Sequence, residues 1–340
     1  MTSAARPADL ALPIDDPALA DRLRARMASV EEALYGHAAS RTTYVTEAAR
    51  HLLAAGGKRF RPLLVLLAAE AGPRPEAPEV LTAACVVEIT HVGSLYHDDV
   101  MDEAALRRGE DSANARYDNL VAILTGDFLF AKSSELTAEL GPEAVKIQAE
   151  TFTRLVEGQI LETVKPSPGE DALAHYLDVV AGKTGSLIAT SAHYGARFAG
   201  AEPAVVDALT AYGELVGTAF QLSDDILDIA SETEESGKTP GTDLKEGVPT
   251  LPVLMARAST DPADARLLEL LDPERTDLAA DADLHAEALD LLRKHPAMAE
   301  AQAYVVARAQ EAKQLLEVLP QGAVRGALEA FADVVAVRSA

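Results

Sequence analysis

The chain has no tryptophan at all, and aromatic residues make up only 4% of its 340 positions. It has one cysteine, Cys85, so no internal disulfide can form, and a reducing compartment suits it. Cys85 lies in the apolar run 81–87, where a thiol is ordinarily a small buried hydrophobe and not a nucleophile. Runs rich in Val, Ile and Thr are scarce, and neither a strand-hairpin signal nor a fixed-period repeat stands out. No apolar stretch reaches the length of a membrane span. Cations are also in short supply: 30 Lys and Arg stand against 54 Asp and Glu, a formal charge of −24. So acidic a chain is repelled by nucleic-acid phosphates and anionic lipid surfaces, which argues against a nucleic-acid role and against stable membrane insertion.

What the chain does have is helix formers. Ala, Leu, Glu and Arg dominate, and 48% of residues are hydrophobic, enough for a large core. Helical periodicity starts near Pro17 and runs almost to the C-terminus, broken by Gly/Pro punctuation at 56–57, 72–78, 141–142, 166–169, 200–203 and 237–252. No stretch has the character of a domain linker. The expectation is a flexible lead-in over residues 1–20, without the pattern of a signal peptide, then one all-α domain over 21–340. That domain would hold roughly ten or more helices, in a cytoplasmic protein. The acidic segment 260–283 is expected to be a solvated excursion or an extra helical pair.

Two acidic motifs interrupt otherwise apolar helices: Asp98-Asp99-x-x-Asp102 near the end of a helix over 79–103, and Asp224-Asp225-x-x-Asp228 near the end of one over 212–229. Residues four apart share a helix face, so Asp98 pairs with Asp102 and Asp224 with Asp228. Like charges at that spacing destabilise a helix unless a cation compensates. Magnesium takes oxygen ligands, typically one or two carboxylates together with substrate phosphates. The plain alternative, two solvated acidic faces, fits either motif alone better than it fits both. Basic clusters accompany them despite the net charge. Gly56-Gly57-Lys58-Arg59-Phe60-Arg61-Pro62 combines close backbone approach with phosphate-binding side chains. Arg107-Arg108-Gly109, Lys183-Thr184 and Lys238 add further cations, so an anionic ligand is expected. The stretch 231–247 reads as a mobile polar loop.

These residues resemble a known family. The strings at 56–62, 91–102 (His-Val-Gly-Ser-Leu-Tyr-His-Asp-Asp-Val-Met-Asp), 107–109, 182–184 (Gly-Lys-Thr), 221–228 (Gln-Leu-x-Asp-Asp-Ile-Leu-Asp) and 237–244 (Gly-Lys-x-x-Gly-x-Asp-Leu) occur in the order seen in the trans-isoprenyl diphosphate synthases of the polyprenyl synthetase family. The resemblance spans roughly residues 45–255. It implies helices around a deep central cavity, usually in a homodimer, and the head-to-tail condensation of an allylic diphosphate with isopentenyl diphosphate. It implies that Lys58, Arg61, His91 and Arg108 hold isopentenyl diphosphate, and that Arg107, Lys183, Thr184, Gln221 and Lys238 contact the allylic diphosphate. Asp98, Asp102 and Asp224, supported by Asp99 and Asp228, would bind about three magnesium ions. Ionisation of the allylic C–O bond, attack by the alkene of isopentenyl diphosphate and loss of a proton complete the reaction without a side-chain nucleophile. Thr184 and Gln221 would steady the cation through their oxygen dipoles. His97 is expected to be a hydrogen-bonded helix histidine.

Residues four and five before Asp98, Ser94 and Gly93, fall one turn along the same helix. The resemblance implies that small residues there leave the path of the growing chain open, with Phe152 a candidate floor further down. The expected product is a long all-trans polyprenyl diphosphate of the kind used for quinone side chains, with geranylgeranyl diphosphate synthase as the runner-up. A class I terpene cyclase would not need two intact Asp motifs and the basic 56–62 segment, and a non-catalytic partner subunit would generally have lost the Asp motifs. Replacing Ser94 or Gly93 with Phe should shorten the product, read by chromatographic sizing of extension products; unchanged chain length would remove the argument.

Overall fold

Helix follows helix along the chain, with breaks where Gly and Pro were expected to place them. The computed structural model describes residue 10, residues 12–231 and residues 240–336. In order the helices are α1 (Pro17–His37), α2 (Thr43–Ala54), α3 (Phe60–Ala69), α4 (Pro78–Met101), α5 (Ala113–Tyr117), α6 (Asn119–Glu139), α7 (Pro142–Glu162), α8 (Ala172–Val180), α9 (Ser186–Phe198), α10 (Pro203–Ala230), α11 (Thr242–Lys245), α12 (Leu251–Arg257), α13 (Ala265–Leu270), α14 (Ala282–Lys294), α15 (Pro296–Leu315) and α16 (Ala323–Ala336). Five of the longest, α1, α4, α7, α10 and α15, open on proline, whose fixed φ and missing N–H suit a first helical turn. Among the described residues no helix is long and apolar enough to cross a membrane. The fold class is all-α.

One feature departs from the sequence expectation of no hairpin. Strands β1 (Leu106–Arg107) and β2 (Glu110–Asp111) pair antiparallel across a two-residue turn. Its central residues, Arg108 and Gly109, both have positive φ (57° and 81°), the mirror-image turn that matches strand twist. Asn-Gly is the usual signature of that turn, and Arg-Gly carries only half of it.

The chain divides into two compact units, each assembled from separate segments: Met1–Thr153 with Leu187–Gly213 and Leu315–Ala330, and Arg154–Ser186 with Glu214–Gln314 and Phe331–Ala340. In the first, α3 is buried along its length except at Arg61, and α4 is buried through most of its middle. Buried tyrosine hydroxyls stitch its helices together. Tyr96 donates to the Ala48 carbonyl and accepts from the Leu52 amide, Tyr194 donates to Ala144 O at 2.8 Å, and Tyr212 donates to Leu328 O at 2.7 Å. Where backbones come closest there is glycine: a Cβ on Gly195 of α9 would sit 2.1 Å from the Val65 carbonyl oxygen of α3.

The second unit has its own apolar core, built from Ile229, Leu244, Val253, Leu267, Leu270, Leu271, Leu278, Leu289 and Leu292 among others. Four of those leucines belong to the acidic segment 260–283. The expected solvated excursion is therefore corrected: its carboxylates face water, while its leucines close the core.

Gly195→Ala tests the helix contact directly. It should lower unfolding free energy by about 1–3 kcal/mol, the ordinary cost of overpacking, measured by chemical denaturation; an unchanged midpoint would mean that α3 and α9 can separate at no cost.

Candidate active site

The end of α4 carries the first acidic motif, and helix geometry splits its members. Asp98 and Asp102, four apart, share a face, and the Asp102 side chain is 58% exposed. Asp99 lies about 100° round the helix and is fully buried. Its Oδ1 accepts from Arg107 Nε at 2.6 Å and its Oδ2 from the Ala113 amide at 2.9 Å. Asp99 was expected among the supporting metal ligands; these two hydrogen bonds instead make it the anchor of Arg107. Arg107 also approaches Asp102 Oδ2 at 3.7 Å, so a cation stands beside that exposed carboxylate.

The basic segment between α2 and α3 depends on positive φ at Gly56 (88°), Gly57 (139°) and Arg59 (49°). Arg59 is the buttress that holds it. Its buried guanidinium donates to Glu31 Oε1 (2.6 Å), Glu88 Oε1 (2.9 Å), Leu53 O (2.9 Å) and Gly56 O (3.1 Å). Arg108, on the hairpin turn, donates to Leu52 O at 3.2 Å and to the Gly56 carbonyl. The φ of Gly57 calls for glycine, and a Cβ there would also push on the movable Arg108 guanidinium, 2.8 Å away. Lys58 is exposed and Arg61 half-buried. Burial, together with the charges of Arg61, Arg108, Arg59 and Arg107, holds the His91 pKa well below the usual imidazole value. His91 is therefore neutral near pH 7 and keeps an N–H donor.

Further along α4, the space at Gly93 is not vacant. A Cβ there would lie 3.1 Å from the Phe130 ring and 3.4 Å from the Gly126 carbonyl, both on α6. The small residue at 93 thus serves packing against α6, and Gly93→Phe would have to push the Phe130 ring aside. Ser94, whose hydroxyl bonds back to His91 O at 2.8 Å, is the cleaner probe of product length. Phe130 packs edge-on against Phe152 with ring centroids 4.7 Å apart. His97 bonds the Ile123 carbonyl at 3.0 Å, as expected of a helix histidine.

In the second unit, Lys183 and Thr184 sit on a π-helical turn, Ala181–Gly185, inserted between α8 and α9. Glycine places it: a Cβ on Gly158 of α7 would come within 2.5 Å of the Lys183 amide nitrogen, and one on Gly182 within 2.9 Å of Arg154 O. Lys183 Nζ is paired with Glu162 Oε2 at 2.6 Å. Thr184 donates to Gln221 Oε1 at 2.9 Å, Gln221 Nε2 donates to Asp225 Oδ1 at 2.9 Å, and Tyr176 donates to Asp225 Oδ2. Burial pushes the Asp225 carboxyl up to about 7, against the opposing pull of those two hydrogen bonds. Asp224 is half-exposed. Asp228 accepts from the first amides of α11, Thr242 at 3.3 Å and Asp243 at 3.1 Å. Lys238 and residues 232–239 of the expected loop lie outside the described residues. Sequence spacing passed over Arg59, Glu162, Tyr176 and Asp225, because their partners are distant in the chain or their role is internal.

Each unit by itself offers hard oxygen donors, Asp98 and Asp102 on one face of α4 in the first and Asp224 on α10 in the second. Carboxylates of this kind suit magnesium or calcium and not soft metals.

A neutral His91 has a consequence for stability. Below about pH 6.5 the unfolded chain takes up a proton that folded His91 refuses, so stability falls as the pH drops through that value. His91→Gln should flatten the slope of unfolding free energy between about pH 6.5 and 5, read by denaturant titrations at stepped pH; a wild-type slope in the variant would overturn the assignment.

Residues 42–289 match the family model described as Polyprenyl synthetase. The nonaprenyl diphosphate synthase of Mycobacterium tuberculosis is 47% identical over 320 residues, covering 94% of each chain. A geranylgeranyl pyrophosphate synthase from Corynebacterium glutamicum, solved with calcium and isoprenyl diphosphate, superposes with a TM-score of 0.85 at 44% identity, covering 96% of this chain and 99% of that one. A polyprenyl synthase from Caulobacter crescentus, also with calcium and isoprenyl diphosphate, gives a TM-score of 0.86 at 33% identity, covering 99% of this chain and all of the other. With a family model that spans most of the sequence and relatives that match nearly end to end, this chain belongs to the polyprenyl synthetase family.

Proposed function

We propose that the protein is an all-trans polyprenyl diphosphate synthase that extends an allylic diphosphate with isopentenyl diphosphate to a long-chain product, a quinone side-chain precursor. The observation that carries the reading is the concentration of phosphate-binding groups in so acidic a chain. Neutral His91 sits in the field of Arg61, Arg107 and Arg108, while Asp102 stands exposed beside Arg107. Lys58, Arg61, His91 and Arg108 bind isopentenyl diphosphate. Arg107, Lys183, Thr184, Gln221 and Lys238 take the allylic diphosphate. Asp98, Asp102 and Asp224, with Asp228 in support, would hold magnesium, which would supply neutralisation of the charge that grows on the departing diphosphate. Asp99 acts through Arg107. Lys183 leaves Glu162 to meet the phosphate oxygens, and Thr184 and Gln221 turn oxygen dipoles toward the allylic cation. The alkene of isopentenyl diphosphate then forms the new C–C bond, and the released diphosphate takes the proton.

A homodimer in the cytoplasm completes the reading; exposed Leu120, Ile123 and Leu124 on one face of α6 supply an apolar surface for a second copy. A shorter geranylgeranyl product is the second reading, favoured by the likeness to the Corynebacterium glutamicum enzyme and by the Phe130–Phe152 pair.

Purified protein with Mg2+, labelled isopentenyl diphosphate and a series of allylic primers should give extended products whose length separates the two readings. Asp98→Ala and Asp224→Ala should each lower kcat by about 100-fold or more with melting temperature nearly unchanged. Failure to extend any primer, or full activity in both variants, would sink the proposal.

A further inference from the structure

The proposed chemistry uses Thr184 and Gln221 but has no task for Tyr176 or Asp225, although both are buried and both belong to the same hydrogen-bonded chain. The chain has a direction, and the Asp225 carboxylate sets it. A carboxylate only accepts, so the Tyr176 hydroxyl donates to Asp225 Oδ2. Asp225, accepting at Oδ2 from Tyr176, also accepts at Oδ1 from an N–H of Gln221 at 2.9 Å. That choice fixes which way the Gln221 amide faces: its nitrogen points to Asp225 and its oxygen to Thr184. Thr184 must then donate to Gln221 Oε1, at 2.9 Å. A hydroxyl whose proton is committed has only oxygen lone pairs left for another neighbour.

We propose that Tyr176 and Asp225 are positioning residues that set the polarity of the Thr184 hydroxyl, so that its oxygen and not its proton faces positive charge developing on the allylic substrate. The inference rests on the prenyl-transfer reading and adds a specific geometry to it. If the relay is cut, Gln221 is free to flip its amide and Thr184 to rotate its proton toward the cation. The cost then falls on the chemical step and not on diphosphate binding.

The test is a double-mutant cycle on the full chain, with steady-state kinetics in Mg2+, isopentenyl diphosphate and an allylic diphosphate. Tyr176→Phe should lower kcat about tenfold, the scale of one charge-assisted hydrogen bond, with KM for both diphosphates within about twofold of wild type. Thr184→Val should lower kcat at least as far, and adding Tyr176→Phe to it should cost nothing beyond about twofold. Thr184→Ser, which keeps the hydroxyl, should remain sensitive to Tyr176→Phe. Losses that multiply in the Val background, an effect confined to KM, or full activity of Tyr176→Phe would each overturn the relay. Should Tyr176→Phe fail to fold, the same cycle is run with Asp225→Asn, which cannot accept from both neighbours, and the same outcomes decide. An active wild type with multiplying losses overturns only the relay; an inactive wild type overturns the prenyl-transfer reading beneath it.

Discussion

Backbone-to-backbone contact at glycine is the constraint on which the rest of this architecture depends. In one unit α3 meets α9 at Gly195, and α4 meets α6 at Gly93 and Gly126, where a Cβ on Gly126 would come within 3.0 Å of the Gly93 carbonyl oxygen. In the other, Gly158 and Gly182 press α7 against the π-helical turn that carries Lys183 and Thr184. Helices that approach this closely cannot slide or rotate without steric overlap. The side chains they carry are therefore placed by the backbone itself, and long arginines and lysines can reach a ligand from a rigid base.

The two acidic motifs follow one geometric rule. Steps of 100° per residue turn the first and fifth positions to one side and the second position to another. Accordingly Asp99 is buried against Arg107 and the Ala113 amide, and Asp225 against Tyr176 and Gln221. Each inward carboxylate holds a polar side chain of its own unit: Arg107 in one case, the Gln221 amide in the other. A buried carboxylate without such donors would be strongly disfavoured, so each motif carries an inward anchor at its second position.

Much of this was legible in the sequence because it is local. The helix expected over 79–103 is Pro78–Met101, and the Gly/Pro breaks at 141–142 and 200–203 became the proline starts of α7 and α10. The same-face pairing of Asp98 with Asp102 follows from spacing alone. What spacing could not tell is which side of a helix faces the core, so Asp99 was grouped with the ligands although it is turned inward. Partners far apart in the chain were equally hidden. Tyr176 is 49 residues from Asp225 and Lys183 is 21 from Glu162, and nothing in either stretch marks the pair. The segment 260–283 misled because its many carboxylates mask leucines at core spacing.

Cys85 lies fully buried in α4, and burial pushes its thiol pKa up to about 12, so at neutral pH it presents almost no thiolate to a reagent. As the only cysteine in the chain, it leaves a silent background for thiol chemistry. A single cysteine introduced at any exposed position can therefore carry a fluorophore or spin label without first removing a native one. One such label in each unit would make the separation of the two, with and without diphosphate, a quantity that can be followed in solution.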